Sequence, residues 1–548
     1  MSKQEQRASL QKQLDSFSES VRLIDERIAT FVSPADVDLQ LLKDQEALRR
    51  QIADLERQLA HLDGAYDVTI PAPVGDFTGR EQELADLTAA LATGTGATIT
   101  GVRGMGGIGK SQLAYALAHR LKAHYPKQVM VPLLGSSPAP LAPATALQRL
   151  IQHFAPTAQL PDDLPSLTAI YQGCLAQHQR ETGEPVLILA DDAADAAQTR
   201  PLLPPPGCAL IVTSRAHIEL EGMVTRNLDT LKPDDAIALL LRIAPRIGDA
   251  APELARLCGY LPLALRVSAT FLKRRPNRSV ATYLQNLRDE RARLSHLHDP
   301  KDPMLNVEAS FALSYAVLPD AVQQAFQQVS VFVGSFTAEA AEAVVASDNV
   351  PDLLDELYLS SLLNFDEATA RYTQHDLLRD YGRTRLPAPE ERAARLRHAR
   401  YYATLMDSAD DMYTAGKQLE ALALFDQERP QTDAVWQWLL EQGAGDAPPA
   451  DTERDEVILA MANATVHTGG LRYSIRNERI PQLEALAAAG RRLGRKAAEG
   501  MALGNLGIAH AALGDARRAI TYHEQALVIS REIGDRRGEG NALGNLGN

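Results

Sequence analysis

Cysteine is scarce in this chain. Cys174, Cys208 and Cys258 are the only three in 548 residues, and none has a second cysteine at metal-ligand spacing. They read as small buried residues of a protein in a reducing compartment, with the cytoplasm as the expected location. Long apolar runs are missing too. Nothing approaches the ~18 consecutive apolar residues of a membrane helix, so no membrane contact is expected. The start, MSKQEQRASLQKQL, lacks the apolar stretch of an export signal. Positive charge is in deficit: the formal net charge is −14, which opposes a phosphate backbone unless basic residues gather locally. What remains is ordinary globular material, 45% hydrophobic and 23% charged. At ~150 residues per domain the length implies about three to five units.

The first unit is read from periodicity. Leu10, Leu14, Phe17, Val21, Ile24, Ile28 and Phe31 alternate spacings of four and three, and Leu48, Ile52, Leu55, Leu59 and Leu62 repeat the pattern. Ser33-Pro34 between them supplies an N-cap and a first-turn proline, so residues 1–64 are expected to form a helical hairpin. Such a hairpin either satisfies itself as a spacer or serves self-association and effector recruitment. The lone His61 has no nucleophile beside it.

Around Asp67 the pattern changes to VTIPAPVGDFTGREQEL, a proline-bearing linker feeding a helix. Ala97–Val102 is a β-rich run, a glycine loop follows, and Gln112–Leu121 has helical character. Gly104, Gly106 and Gly109 satisfy G-x-G-x-x-G, but a dinucleotide site needs an acid at the end of the next strand, and KQVMVPLLG has none. The mononucleotide template G-x-x-x-x-G-K-[ST] is filled in full by Gly104, Met105, Gly106, Gly107, Ile108, Gly109, Lys110 and Ser111. Its chemistry is coherent: backbone N–H groups converge on phosphate oxygens, Lys110 reaches the terminal phosphates, and the Ser111 hydroxyl ligates Mg²⁺. The template also calls for an acid at the end of a neighbouring strand, and Val186-Leu187-Ile188-Leu189-Ala190-Asp191-Asp192 provides two. Asp191 is expected to hold the Mg²⁺ shell and Asp192 to orient the attacking water. A capped helix start would explain only one aspartate. The strand Ala209–Thr213 ends at Ser214-Arg215, where an arginine either senses a γ-phosphate or is simply solvated.

In this order the motifs resemble the NB-ARC branch of the STAND NTPases, which includes plant disease-resistance proteins, the apoptotic protease-activating factor and many bacterial regulators. Phe77-Thr78-Gly79-Arg80-Glu81 is similar to the family's opening motif beside the adenine. GMGGIGKSQLA, through Gln112, resembles its Walker A, LILADD its Walker B and IVTSR its first sensor. Cys258-Gly259-Tyr260-Leu261-Pro262-Leu263-Ala264-Leu265 resembles the GLPLAL element, whose proline packs on the base, and Gln374-His375-Asp376 the MHD element, with glutamine in place of methionine. The likeness covers Phe77 to Arg385. It implies ATP or ADP with Mg²⁺ as the cofactors, held by Phe77, Arg80, residues 104–112, Pro262 and His375, with Lys110, Asp191, Asp192 and Arg215 as the catalytic set.

By the same resemblance Val307 to Arg385 forms a winged helix. Its segments are FALSYAVL, AVQQAFQQVSVF and PDLLDELYLSSLL, then a hairpin LLNFDEATARYTQ. The third carries Asp352, Asp355 and Glu356 and no basic residue, so direct nucleic-acid binding by it is not expected. The better reading is a lid whose His375 reaches the nucleotide; the plainer one is a histidine capping the helix that begins at Asp376. Beyond it, residues 389–478 read as helical, with Arg400-Tyr401-Tyr402, Phe425 and Trp436-Gln437-Trp438 as packing residues and GAGDAPPADTERD as an exposed loop. GMALGNLG at Gly500 returns as GNALGNLG at Gly540, a 40-residue period. With Ala509, Ala511, Gly514, Ala519 and Ala526 in matching places, this resembles the longer tetratricopeptide repeat of kinesin light chain. The array is expected to continue past Asn548.

The fold expected is multidomain and mostly α with one α/β domain. It runs as a hairpin (1–64), a P-loop nucleotide-binding domain (65–228), a helical domain (229–300), a winged helix (301–388), a helical connector (389–478) and repeats (479–548). The function expected is an ATP/ADP-controlled signalling switch: a closed ADP-bound monomer that opens, exchanges nucleotide and self-associates when a trigger engages the repeats, then acts on an effector through residues 1–64. Turnover is expected to be slow. The rivals are an ATP-dependent transcriptional regulator of the same class, which needs a basic DNA-binding domain, and a plain P-loop ATPase acting on a client, which needs brisk turnover.

Overall fold

A computed structural model describes residues 70–92, 96–101, 106–137, 140–156, 158, 160–295, 304–367, 369–441 and 451–547. The expected hairpin, the loop residues Gly104 and Met105, and most of the loop after Glu441 lie outside the described residues. Five strands form one parallel sheet: β1 (Gly96–Gly101), β2 (Lys127–Pro132), β3 (Val186–Ala193), β4 (Ala209–Ser214) and β5 (Met223–Leu228), in the order β2-β3-β4-β1-β5. β3 opens with five buried residues in succession and β4 is buried throughout, as expected of strands covered on both faces. Alternate residues divide between two cores. Leu187, Leu189, Ala209 and Ile211 pack with α1 (Glu81–Ala92) and α2 (Lys110–Arg120), whereas Val186, Ile188, Leu210 and Val212 pack with α3 (Pro143–Phe154) and α4 (Leu164–Thr182).

Contrary to the sequence expectation, a strand stands between the loop strand and the aspartate-bearing strand. The strand bearing the two aspartates is not a neighbour of the loop strand, because among the described residues β1 pairs with β4 and β5, and β4 lies between β1 and β3. Pairing order is a non-local property that no run of residues spells out. Its effect is to bring the β4 end, Thr213 to Arg215, between the glycine loop and the aspartates.

After the sheet come α5 (Pro233–Ile243), α6 (Ala251–Leu257), α7 (Pro262–Arg274) and α8 (Val280–Ser295). Proline occupies the first or second position of α5, α6 and α7, where its missing N–H costs nothing. α9 (Met304–Tyr315) packs on α7 and α8 and is followed by α10 (Asp320–Gln328), β6 (Ser335–Phe336), α11 (Ala338–Val344), α12 (Val350–Leu359), β7 (Asn364–Asp366), β8 (Arg371–Thr373) and α13 (Asp376–Arg383). The hairpin β7-β8 is joined by β6 into an antiparallel sheet of order β6-β8-β7. β6 and α11 were not read from the sequence. β6 is only two residues long, and α11 is a seven-residue alanine-rich turn of helix whose signal is the Thr337 cap on the Ala340 N–H. α13 is seated by Tyr381, whose ring meets Phe311 and Tyr315 of α9 edge-on at 5.7 and 5.8 Å.

The rest is helical: α14 (Ala388–Thr414), α15 (Gln418–Glu441), α16 (Thr452–Asn463), α17 (Ile480–Arg492), α18 (Lys496–Ala512), α19 (Ala516–Ile533) and α20 (Arg536–Gly547), the last four packing in chain order. Tyr402, Phe425, Trp436 and Trp438 are buried among them, as packing residues should be; Arg400 is exposed and pairs with Glu453. Residues 70–548 form one compact unit. Among the described residues no helix is long and apolar enough to cross a membrane.

Candidate nucleotide site

The glycine loop ends at Gly109, whose φ of 95° starts α2 with Lys110 as its first residue. The first-turn N–H groups of a helix have no partner within it and, with the helix dipole, favour an anion there. Two other elements close over this loop. A Cβ placed on Gly106 would stand 3.0 Å from the Leu377 side chain of α13, and one on Gly107 would stand 3.3 Å from Leu377 and 3.4 Å from Leu263 of α7. Pro262, the first residue of α7, comes within 3.9 Å of the same construction on Gly109. The loop is thus sandwiched between the starts of two helices, one of them about 270 residues further along the chain.

Below the loop, Ser111 Oγ donates to Asp191 Oδ1 at 2.9 Å and Tyr115 OH to Asp191 Oδ2 at 3.3 Å, while Thr213 Oγ1 also donates to Asp191 Oδ1. Burial pushes the Asp191 carboxyl up, against the pull of the Thr213 and Ser111 hydroxyls. Ser111 and Asp191 are hard oxygen donors brought together at the helix start, and they fit Mg²⁺, which takes one or two protein ligands and completes its shell with water and phosphate. When bound, the ion would be held by Ser111 and Asp191 and would offset the charge of the phosphates. Burial, with Arg215 nearby, lowers Lys110 to about 8, against the opposing pull of Asp192 and Asp191.

Arg215 reaches across the cleft. Its Nε is 3.9 Å from Asp192 Oδ1 and its Nη2 donates to Asp376 Oδ2 at 3.5 Å, so it spans the β3 end and the first residue of α13. His375 Nδ1 accepts from the Leu377 N–H at 3.2 Å and caps α13. That is the plainer of the two readings of this histidine, and it leaves the other open, because an accepting Nδ1 puts the ring proton on Nε2 as a donor. Burial lowers His375 to about 4, with Arg215, Arg379 and Lys110 acting in the same direction, so the ring is neutral.

The remaining motif residues serve the frame. Arg80, at a positive φ of 69° and 7% exposed, donates to the Asp229 carbonyl at 2.6 Å and the Ile108 carbonyl at 3.4 Å and pairs with Glu83. It ties the opening motif to the glycine loop and the end of β5. Gln112 turns its amide oxygen to the Val74 N–H at 2.9 Å, holding the linker onto α2, and Phe77 packs against the main core. Sequence reading missed Tyr115, Thr213, Leu377 and Ser136. Tyr115 stands one helical turn after Ser111 and was findable by that spacing. The others depend on strand order and lid placement.

No protein-family model matches the chain. It is 35% identical over 383 residues to the regulatory protein AfsR of Streptomyces griseus, an alignment covering 67% of this chain and 38% of that protein. It is 27% identical over 201 residues to an Arabidopsis thaliana protein named as a probable disease resistance protein, covering 34% of this chain and 23% of that one. A solved STAND protein with a tetratricopeptide repeat sensor, from Pyrococcus horikoshii, overlays at a TM-score of 0.40 and 15% identity, over 87% of this chain and 80% of that one. The chain therefore spans well under half of the curated relatives it matches. With these relatives, and with the glycine loop, paired aspartates, strand-end arginine, proline-led helix and the histidine that caps α13 around one cleft, the chain belongs to the STAND class of P-loop NTPases.

Proposed function

We propose that this chain is an ATP/ADP-controlled signalling switch. The observation that carries the reading is the lid: Leu377 lies against Gly106 and Gly107, and His375 beside it acts electrostatically with Lys110 and Arg215. A machine for turnover has little use for a lid that grips its product, whereas a switch needs one. In the closed form the His375 Nε2–H donates to a phosphate of ADP, and Lys110, Asp191, Asp192 and Arg215 await the γ-phosphate of ATP. Phe77, Arg80, Gly104, Met105 and Pro262 complete the nucleotide envelope. Opening moves α13 off the loop, allows exchange and self-association, and presents residues 1–64 to an effector in the cytoplasm, with the trigger acting on the C-terminal helices.

The matched relatives are a regulatory and a disease-resistance protein, which suits a signalling role over service to a client. Direct reading of nucleic acid through α12 is disfavoured by its acids, one of which, Glu356, is held by both terminal nitrogens of Arg274 at 2.8 Å. The test is His375→Ala. Loss of a hydrogen bond to a charged group, roughly 1.5 to 3 kcal/mol, shifts a two-state balance by about ten- to a hundredfold. ADP should dissociate faster by that factor and light scattering should show more oligomer with ATP. A variant that keeps ADP as tightly and stays monomeric, beside wild type hydrolysing ATP at several per second, sinks the switch reading.

A further inference from the structure

Consecutive residues on a regular strand point to opposite faces. At Asp191-Asp192 β3 is not regular: its pairing with β4 slips between Ala190 and Ala193, and Asp192 sits at a φ of 54°, in the left-handed region. Such an irregularity re-aims a side chain beside a site. Asp191 goes to Ser111 and Tyr115, and Asp192 turns toward the loop that follows β2. There Ser136 donates twice to Asp192 Oδ2, from its backbone N–H at 2.9 Å and from its hydroxyl at 2.6 Å. The Asp192 N–H donates in turn to Thr213 Oγ1 at 2.9 Å. The second carboxylate oxygen, Oδ1, makes no such bond to Arg215, whose Nε stays 3.9 Å away, beyond hydrogen-bond range.

We propose that Ser136 is a positioning residue for nucleotide hydrolysis, clamping one oxygen of Asp192 so that the other stays free to orient the attacking water. The proposal rests on the nucleotide-switch reading above. In the step concerned, the water oxygen bonds to the γ-phosphorus as the bond to the bridging oxygen breaks. ADP leaves with that electron pair, and the proton lost by the water ends on inorganic phosphate or solvent. Asp192 Oδ1 accepts a hydrogen bond from the water and aims its lone pair. The clamp matters because Asp192 has two cations within its electrostatic reach, Arg215 and Lys110. Released from Ser136, the carboxylate would swing onto them as a direct ion pair, and no oxygen would face the water. Ser136 is exposed, so substituting it leaves the core intact.

The experiment uses the full chain, with hydrolysis followed under single-turnover conditions and ADP affinity measured by calorimetry. Ser136→Ala should lower the rate at saturating ATP roughly tenfold, while half-saturation and ADP affinity stay within about twofold. Ser136→Thr, which keeps the hydroxyl, should restore most of the rate. An unchanged rate in Ser136→Ala, an equal loss in Ser136→Thr, or a parallel rise in half-saturation overturns the proposal. Wild type that binds ADP but never hydrolyses ATP overturns it and leaves the switch standing. Wild type that binds no nucleotide overturns both.

Discussion

At the scale of single residues, the site is governed by charges that are short of water. Lys110 is lowered to about 8 chiefly by burial, and phosphate oxygens set against it would raise it again by direct attraction. Binding of ATP or ADP between about pH 8 and 9.5 should therefore take up a proton, and affinity should fall as pH rises through that window. For stability the sign is opposite. A lysine depressed in the folded chain destabilises it below its folded value, and that cost fades as pH climbs from about 8 toward the ordinary lysine range, where the unfolded chain binds more protons. Calorimetry at pH 8.5 in buffers of different ionisation enthalpy reads the proton directly; a binding heat independent of buffer would refute the linkage. The neutral His375 carries no such dependence near pH 7, because it is lowered to about 4 and its role is to donate through Nε2.

At the scale of elements, small residues decide how closely helices pack. A Cβ on Gly507 of α18 would stand 2.5 Å from His523 Cε1 of α19, and His523 is itself buried. The 40-residue recurrence at Gly507 and Gly547 already marks the position as special. The contact explains why at the first of them: an added methyl must push two packed helices apart. Gly507→Ala should destabilise the α18–α19 pair by about 1–3 kcal/mol, the usual range for overpacking, despite alanine's better helix propensity. Hydrogen exchange should show the loss as lower protection confined to α17–α20, with ADP affinity unchanged. Equal or higher protection would mean that the helices can slide apart at little cost. Caps act at the same scale: Asp515 accepts from the Arg518 N–H to start α19, and Asp451 does so for Arg454 and α16, so that Thr452 to Asp455, expected as part of an exposed loop, form the first turn of a helix with Arg454 and Asp455 buried.

At the scale of the whole molecule, the α/β layer meets the later helices through buried and half-buried charge. Arg149 of α3 pairs with Asp433 of α15, while Arg429 donates to Glu478 at 3.0 and 3.1 Å and lies 3.7 Å from Asp433. Arg472 holds Asp426 at 2.7 and 2.9 Å and the Pro156 carbonyl at 2.6 Å, and Ser474 donates to Asp162 at 2.8 Å. Breaking one partner of such a pair costs about 3–5 kcal/mol because a charge is left buried, whereas replacing both by apolar groups is often neutral. Asp433 is itself 23% exposed, so Asp433→Asn should lower the unfolding free energy by less than that, about 1.5–3 kcal/mol, and enlarge the radius of gyration. Arg149→Met with Asp433→Leu should recover most of the loss. A single variant as stable and compact as wild type would show the joint to be hydrated.

The phosphate loop, the aspartate pair, the strand-end arginine and the helical class of the remainder were all readable from residue order. Each rests on local chemistry: glycines that free the backbone, a lysine and hydroxyl at fixed spacing, and apolar runs ending in acid. Tertiary structure alone decided that β4 separates β1 from β3, that Arg215 faces Asp376, that Ser136 holds Asp192, and that α3 rests on α15 through paired charges. The three side-chain meetings among these join residues 56 to 284 apart. Their partners are set by which surfaces the folded chain brings together, a property of the packed whole that no stretch of sequence carries alone.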